Sequence, residues 1–314
     1  MGDNSNLIRS KAQKNDEYYT KSEDIAKELP YYEKYFKNKI VYCNCDNPEY
    51  SNFWKYFREN FTKLGLKKLI ATYYDKDNMS SMVIFDGDRE YYKKLRDYGD
   101  FRSIDCLCCL YQSDIVVTNP PFSLSTDFID ILLKSKKDFL VVGDLNWITY
   151  SLLFPYIKRG VVRLGVNPIK SFLQPDGSSK QFGNKVWFTT LDHGQESEFI
   201  PLQEQYHKKK HRSFQNYEVL NVDKISEIPY DYTGVIAVPI SFLQKYNTKQ
   251  FELLGLTSGY TLMHEPVMLG DEFIDLYRKQ GGTGYYSANM YGMWYIDNNG
   301  KAKVPYRKLL IRRK

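Results

Sequence analysis

The sequence predicts an α/β fold: an open, mostly parallel sheet covered by helices on both faces, followed by a mixed, strand-rich region. Three observations predict it. Short continuous apolar runs alternate with helical patterns through the first two thirds of the chain, as expected for parallel strands buried on both faces. No apolar run approaches the roughly 18 residues that a membrane span needs. Near residue 200 the texture changes to polar, glycine- and tyrosine-rich sequence without the strand–helix rhythm, which places a boundary between residues 1–200 and 201–314.

In chain order, the candidate strands are KIVYC (39–43), KKLIATYY (67–74), SMVIFD (81–86), DIVVTN (114–119), DFLVVGD (138–144), GVVRLGV (160–166) and NKVWFTTL (184–191). Helical patterns occupy 52–65, 125–137 and 147–160. No clear helix separates the last two strands, so they are expected to pair antiparallel at one edge. Beyond residue 200, TGVIAVPISFLQKYN, FELLGLTSG and the run GGTGYYSANMYGMWYIDNNGKAKVPYRK indicate strands and rings in a second domain.

Charged residues make up 26% and hydrophobic residues 42%, which excludes a disordered chain. The polar N-terminus has no signal-peptide core, so a cytoplasmic protein with no membrane partner is expected. Five cysteines, at 43, 45, 106, 108 and 109, are an odd number without Cys-x-x-Cys spacing. They read as reduced thiols rather than as zinc ligands. The net charge of +6 is uneven: residues 201–314 hold 16 basic and 11 acidic side chains, against 28 and 27 before them. Lys208, Lys209 and Lys210, with the terminal Arg312, Arg313 and Lys314, are the candidate contacts for a polyanion. The competing reading is a solvated basic surface.

The strongest chemical signal is Asn119-Pro120-Pro121-Phe122, at the carboxyl end of the strand DIVVT. Ligands of open α/β sheets sit beyond the carboxyl ends of the strands. Two consecutive prolines stiffen the turn there, holding an amide, a carbonyl and a ring in fixed relation. The tetrapeptide has the form found in amino methyltransferases acting on adenine, cytosine N4 or glutamine. An exocyclic amine is a poor nucleophile, because its lone pair is delocalised. The Asn oxygen and the first proline's carbonyl can accept both of its hydrogens and direct the lone pair at a methyl donor. Phe122 can stack on the ring that carries the amine. Upstream, Asp100 and Phe101 in YGDFRS could bind a donor's adenine. Asp75 could bind its ribose or be a solvated turn residue. The first strand ends in Cys45-Asp46-Asn47-Pro48 without the glycine loop of a nucleotide fold.

Taken together, QKNDEYYT (13–20), VYCNCDNPEYSNFWKYF (41–57), GDFRS (99–103), DIVVTNPPFS (114–123), VWFTTLDH (186–193), GVIAVPISFLQKYN (234–247) and the C-terminal LLIRRK resemble the EcoRI-type adenine-specific DNA methyltransferases over nearly the whole chain. That resemblance implies a Rossmann-like S-adenosylmethionine-dependent methyltransferase sheet with a C-terminal recognition region. The donor would be S-adenosylmethionine, leaving S-adenosylhomocysteine. The target would be N6 of an adenine extruded from double-stranded DNA, and a cognate restriction endonuclease is an expected partner. The resemblance puts Tyr19 and Thr20 near the donor's methionine end and Cys45, Asp46 and Asn47 on its loop. Asp75 would lie at the ribose and Asp100 and Phe101 at the adenine. It implies that Trp187 or Phe188 supplies a second ring to the base, although strand alternation buries one of them. RNA adenine, protein glutamine and cytosine N4 remain alternative targets for the same tetrapeptide, and a catalytically dead DNA-binding protein is a further reading.

Overall fold

The structure is a computed structural model that describes residues 18–75, 80–174 and 177–314; residues 13–17 of the QKNDEYYT block lie outside the described residues. The chain forms two compact units. One runs to Leu145 and resumes over Val161–Gln195; the other comprises Asn146–Gly160 and Glu196–Lys314.

The first unit contains, in order, β1 (Tyr19–Thr20), α1 (Ser22–Glu28), β2 (Ile40–Cys43), α2 (Asn52–Glu59), α3 (Phe61–Leu64), β3 (Lys68–Ala71), β4 (Ser81–Phe85), β5 (Glu90–Lys94), α4 (Ile104–Gln112), β6 (Ile115–Thr118), α5 (Ser125–Ser135), β7 (Asp138–Asp144), β8 (Arg163–Leu164), β9 (Ile169–Leu173) and β10 (Ser179–Thr189). The strands form one mixed sheet in the order β1-β9-β10-β7-β6-β2-β3-β4-β5, with β8 also on β10. Its centre, β7-β6-β2-β3, is parallel, and the flanking strands attach antiparallel. The expected antiparallel pairing of the last two candidate strands is present between β8 and β10.

Burial explains the apolar runs. Val41 and Cys43 on β2 join Leu69, Val117, Leu140 and Trp187 in a core shared with Phe53, Trp54 and Phe57 of α2 and Ile25 of α1. Tyr42 serves the other face, where its hydroxyl bonds Thr72 Oγ1 at 2.6 Å and donates to the Cys106 carbonyl of α4 at 3.3 Å. Ser51 starts α2 by accepting from the Phe53 and Trp54 amides. The helix expected over 52–65 breaks at Asn60 and ends at Gly65, whose φ of +63° suits glycine. The helix expected over 147–160 is a 3-10 turn (Leu145–Thr149) and a short α6 (Phe154–Lys158). Pro155, with no N–H and a fixed φ, starts a helix but cannot lie inside one.

The second unit adds β11 (Arg212–Ser213), β12 (Val219–Asn221), β13 (Val235–Val238), β14 (Phe251–Leu256), α7 (Gly270–Lys279), β15 (Tyr295–Ile296), β16 (Ala302–Lys303) and β17 (Leu309–Arg313) to α6. A five-stranded sheet runs β11-β12-β13-β17-β14, with only β12 and β13 parallel. Lys308 is buried, and its ammonium donates to Asn221 Oδ1, the Val222 carbonyl and Asp223 Oδ1 at 2.6, 2.8 and 2.6 Å. Among the described residues, no helix is long and apolar enough to cross a membrane.

Candidate active site

Sheet order dictates where the site lies. From β2 the chain passes to β3 on one side and later returns as β6 on the other. The connections after β2 and β6 therefore part, leaving a crevice beyond their carboxyl ends. Asn44–Asn47 follow β2, Thr72–Asp75 follow β3, Asn119–Phe122 follow β6, and Asp144 ends β7.

The glycine-free loop after β2 is held by side chains. Asp46 is 4% exposed. Its Oδ1 accepts from Ser51 Oγ at 2.7 Å and its Oδ2 from Thr118 Oγ1, while its amide donates to the Thr72 carbonyl at 3.0 Å. One carboxylate thus ties the ends of β2 and β6 to the cap of α2. Both of its oxygens are engaged inside the protein, which fixes the loop. Asn47 Oδ1 accepts from the Glu49 amide at 3.0 Å and closes the turn. Cys45 beside it is half-buried.

Burial pushes the Asp46 carboxyl up to about 6, against the pull of the Thr118 and Ser51 hydrogen bonds. The folded protein therefore binds this proton more tightly than the unfolded chain, and the penalty for ionising it grows as pH rises from about 4 to about 6. Asp46→Asn removes that penalty. The melting temperature of the variant relative to the parent should rise across this window and level off above it. A difference that stays constant between pH 4.5 and 7.5 would refute the assignment.

Asn119 is the first residue of the connection that leaves β6. Its Nδ2 donates to the Tyr18 carbonyl at 2.5 Å, which fixes the amide's orientation. Its Oδ1 is buried without a hydrogen-bond partner, and so is Thr20 Oγ1 on β1. Buried polar atoms are rarely left unpaired, which singles out both as candidate ligand contacts. Asn52 Nδ2 anchors β1 by donating to the Thr20 carbonyl at 2.8 Å. Tyr19 is half-buried and tilted against Tyr50. Pro120 is buried and Pro121 half-buried.

Phe122 lies in an aromatic box. Tyr18 is near-parallel to it, at 5.9 Å between centroids and 18°, and Phe172 and Phe182 present edges at 6.0 Å. Lys185 Nζ lies 3.5 Å from the centroid of Phe122 and 3.2 Å from Asp144 Oδ2, which also accepts from Asn184 Nδ2 at 2.6 Å.

The loop before α4 carries Asp100, which accepts from the amide of Arg102 and from its guanidinium. Burial raises its pKa, but the Arg102 bonds outweigh this and hold the carboxyl below its usual value. Phe101 is buried, edge-on to Phe128 at 5.4 Å with Arg102 over its ring. Gly99 has a φ of +80°, and a Cβ there would lie 1.9 Å from the Tyr73 carbonyl oxygen. Tyr98 accepts from the Asp75 amide at 2.8 Å, joining this loop to the end of β3.

Trp187 and Phe188, the two rings expected near the base, both lie inside the protein. Both are 1% exposed, and Trp187 packs edge-on against Phe53 at 5.9 Å. β10 is an interior strand, so alternation sends the two rings to opposite faces of the sheet. The rings that touch Phe122 are those of Tyr18, Phe172 and Phe182. Sequence reasoning also missed Ser51, Thr118, Asp144, Asn184 and Lys185. Gly183, within the register shift between Gln181 and Lys185, was the one local signal that β10 is irregular there.

In the second unit, Lys208, Lys209 and Lys210 are exposed, with Lys210 paired to Glu204. Arg312 and Arg313 are half-buried on β17, opposite Glu252 and Phe251 of β14. Lys314 Nζ donates to the Thr248 carbonyl at 2.7 Å. Cys43, Cys106 and Cys109 are buried, Cys45 is half-buried and Cys108 is exposed, all as free thiols. Burial raises the thiols of Cys43 and Cys109, the latter to about 12.

Comparison with known proteins finds a match to the family described as "Adenine-specific methyltransferase EcoRI" over residues 6–92 and 88–314. The type II methyltransferase M.EcoRI of Escherichia coli is 40% identical over 294 residues, covering 82% of this chain and 90% of that protein. M.MpnI of Mycoplasma pneumoniae is 37% identical over 270 residues, covering 78% and 84%. M.MgeORF184P of Mycoplasma genitalium is 36% identical over 267 residues, with the same coverages. No solved structure matches the chain significantly.

Proposed function

We infer, from the premise that this chain belongs to the adenine-specific methyltransferase EcoRI family, that it methylates N6 of adenine in double-stranded DNA. The unpartnered oxygen of Asn119 carries the reading. With Nδ2 committed to the Tyr18 carbonyl, the amide presents only its acceptor to a substrate amine. Asn119 Oδ1 and the Pro120 carbonyl would each take one N6–H, drawing the nitrogen lone pair out of conjugation and orienting it. Phe122 would hold the ring by stacking. The adenine must leave the duplex to reach these groups, at a cost of a few kcal/mol.

The donor set fits S-adenosylmethionine, which when bound supplies an electrophilic methyl group. The buried hydroxyl of Thr20 and the loop Cys45–Asn47 would hold it, with Asp75 and the Asp100 carboxylate reaching its nucleoside. The Rossmann-like character of the sheet follows from the same premise, and so does a recognition role for residues 201–314. A cognate endonuclease would cleave the sequence that this enzyme methylates. Incubation with methyl-labelled donor and DNA, RNA or protein tests the reading: label should enter DNA as N6-methyladenine. Label in RNA, in protein or on cytosine N4 would replace it.

The basic surplus of the second unit serves DNA phosphates in this reading. Replacing Arg312, Arg313 and Lys314 together by Ala should weaken DNA binding at fixed salt. It should also flatten the log–log salt dependence by about two to three units, since each phosphate contact contributes about 0.9. Sequence preference should change little. Binding titrations at several salt concentrations decide: an unchanged slope would remove this strand end from the DNA interface.

A further inference from the structure

Lys180 lies over the Tyr18 and Phe182 rings of the aromatic box, and Lys185 lies over Phe122, where its position conflicts with the proposed use of that ring. Its ammonium sits 3.5 Å from the ring centroid, which is the separation of a stacked base, so the two cannot share that face. The residue is 7% exposed. Burying an ammonium is costly without compensating partners. Here the compensation comes from the quadrupole of Phe122 and from Asp144, which Asn184 steadies. β10 delivers Lys185 directly opposite Asp144 of β7, and the register shift just before it turns Phe182 and Lys185 into the same box. This lysine is built into the slot that a stacked base would enter.

Resting on the function proposed above, we propose that Lys185 reads the target adenine. Its ammonium holds the base slot over Phe122 until the base arrives, then pivots on Asp144 and donates a hydrogen bond to a ring nitrogen of that base. An ammonium has three donors and no acceptor, so it favours a ring edge that presents a lone pair. Adenine offers N1, N3 and N7. Asp144 and Asn184 are positioning residues that keep the ammonium within reach of the slot.

The test is a cycle between the protein and the base. The methylated sequence is first read from DNA of cells expressing the chain. If no adenine is methylated, the proposed function fails, and the inference with it. With that sequence in hand, duplexes carry adenine, 1-deazaadenine, 3-deazaadenine or 7-deazaadenine at the target. kcat/KM is measured for the wild-type chain and for Lys185→Met, which keeps the stem and removes the donor. One deaza duplex should lower wild-type kcat/KM by roughly ten- to a hundredfold, the worth of a charge-assisted hydrogen bond. Lys185→Met should show a loss of that size on adenine and no further loss on that duplex, whereas a purely structural lysine would lose equally on all four. Lys185→Arg, which retains a donor, should keep part of the discrimination. Two results overturn the proposal: a wild-type enzyme indifferent to all three deaza duplexes, whether or not the variants fold, or equal sensitivity in wild type and Lys185→Met.

Discussion

Replacing Asn119 with Ala should lower kcat on the order of a hundredfold or more, while donor and DNA affinities stay nearly unchanged. The expectation rests on the division of labour within one amide: the nitrogen is fixed by the Tyr18 carbonyl and the oxygen is buried and unpartnered. An acceptor that matters mainly in the transition state affects kcat more than binding. Loss of one such preorganised group typically costs about 2.7–4 kcal/mol in the barrier. Asn119→Asp separates the two halves of the amide. It keeps an acceptor but turns a carboxylate oxygen toward the Tyr18 carbonyl, so its rate should fall between those of wild type and Ala. Single-turnover methylation with saturating donor measures this. More than about a tenth of wild-type kcat in the Ala variant would remove Asn119 from the chemical step.

The second large effect is expected at Gly99. A methyl group there meets the Tyr73 carbonyl oxygen at 1.9 Å and the Ser80 side chain at 2.8 Å, on a backbone with a φ of +80°. Neither the carbonyl nor the left-handed backbone can relax independently, because Tyr98 and Asp75 are hydrogen-bonded alongside. Gly99→Ala should therefore cost at least about 2 kcal/mol of stability. It should also weaken donor binding, because Asp100 and Arg102 ride on the same loop. Thermal unfolding and calorimetric titration with donor report the two losses. Wild-type values in both would show that the loop shifts without cost and that the close approach has no role.

Legibility in the sequence followed the range of the interactions. The Asn119–Phe122 turn and the loop after β2 were readable because each is a short run at a strand end, where proline, asparagine and aspartate constrain the backbone locally. The four central strands, β7, β6, β2 and β3, were readable because burial on both faces forces unbroken apolar runs. β5 was not, since EYYKK is a sheet-edge strand with little buried surface. The Tyr18 carbonyl was invisible because it is a backbone atom 101 residues from the amide it holds. The burial of both Trp187 and Phe188 was not legible, for a reason of topology. Alternation implies an outward ring only where one face of the sheet is open, and β10 has none there. The change of texture lies near residue 200 and the units divide after Gln195, but the fifteen residues 146–160 carry no compositional mark of the unit they join.

That last feature bears on how such proteins can be recombined. The polypeptide passes from one unit to the other at 145/146, 160/161 and 195/196, so the second unit is not a detachable tail. A chimera spliced once, near residue 196, would inherit residues 146–160 from one parent and their packing partners from another. Those partners include β14, which α6 packs against, and Arg307, whose guanidinium donates to the Thr149 carbonyl at 2.6 Å. Exchange of the second unit between relatives therefore calls for three junctions. Lineages that shuffle it by a single crossover would carry a mismatched seam that later substitutions have to repair.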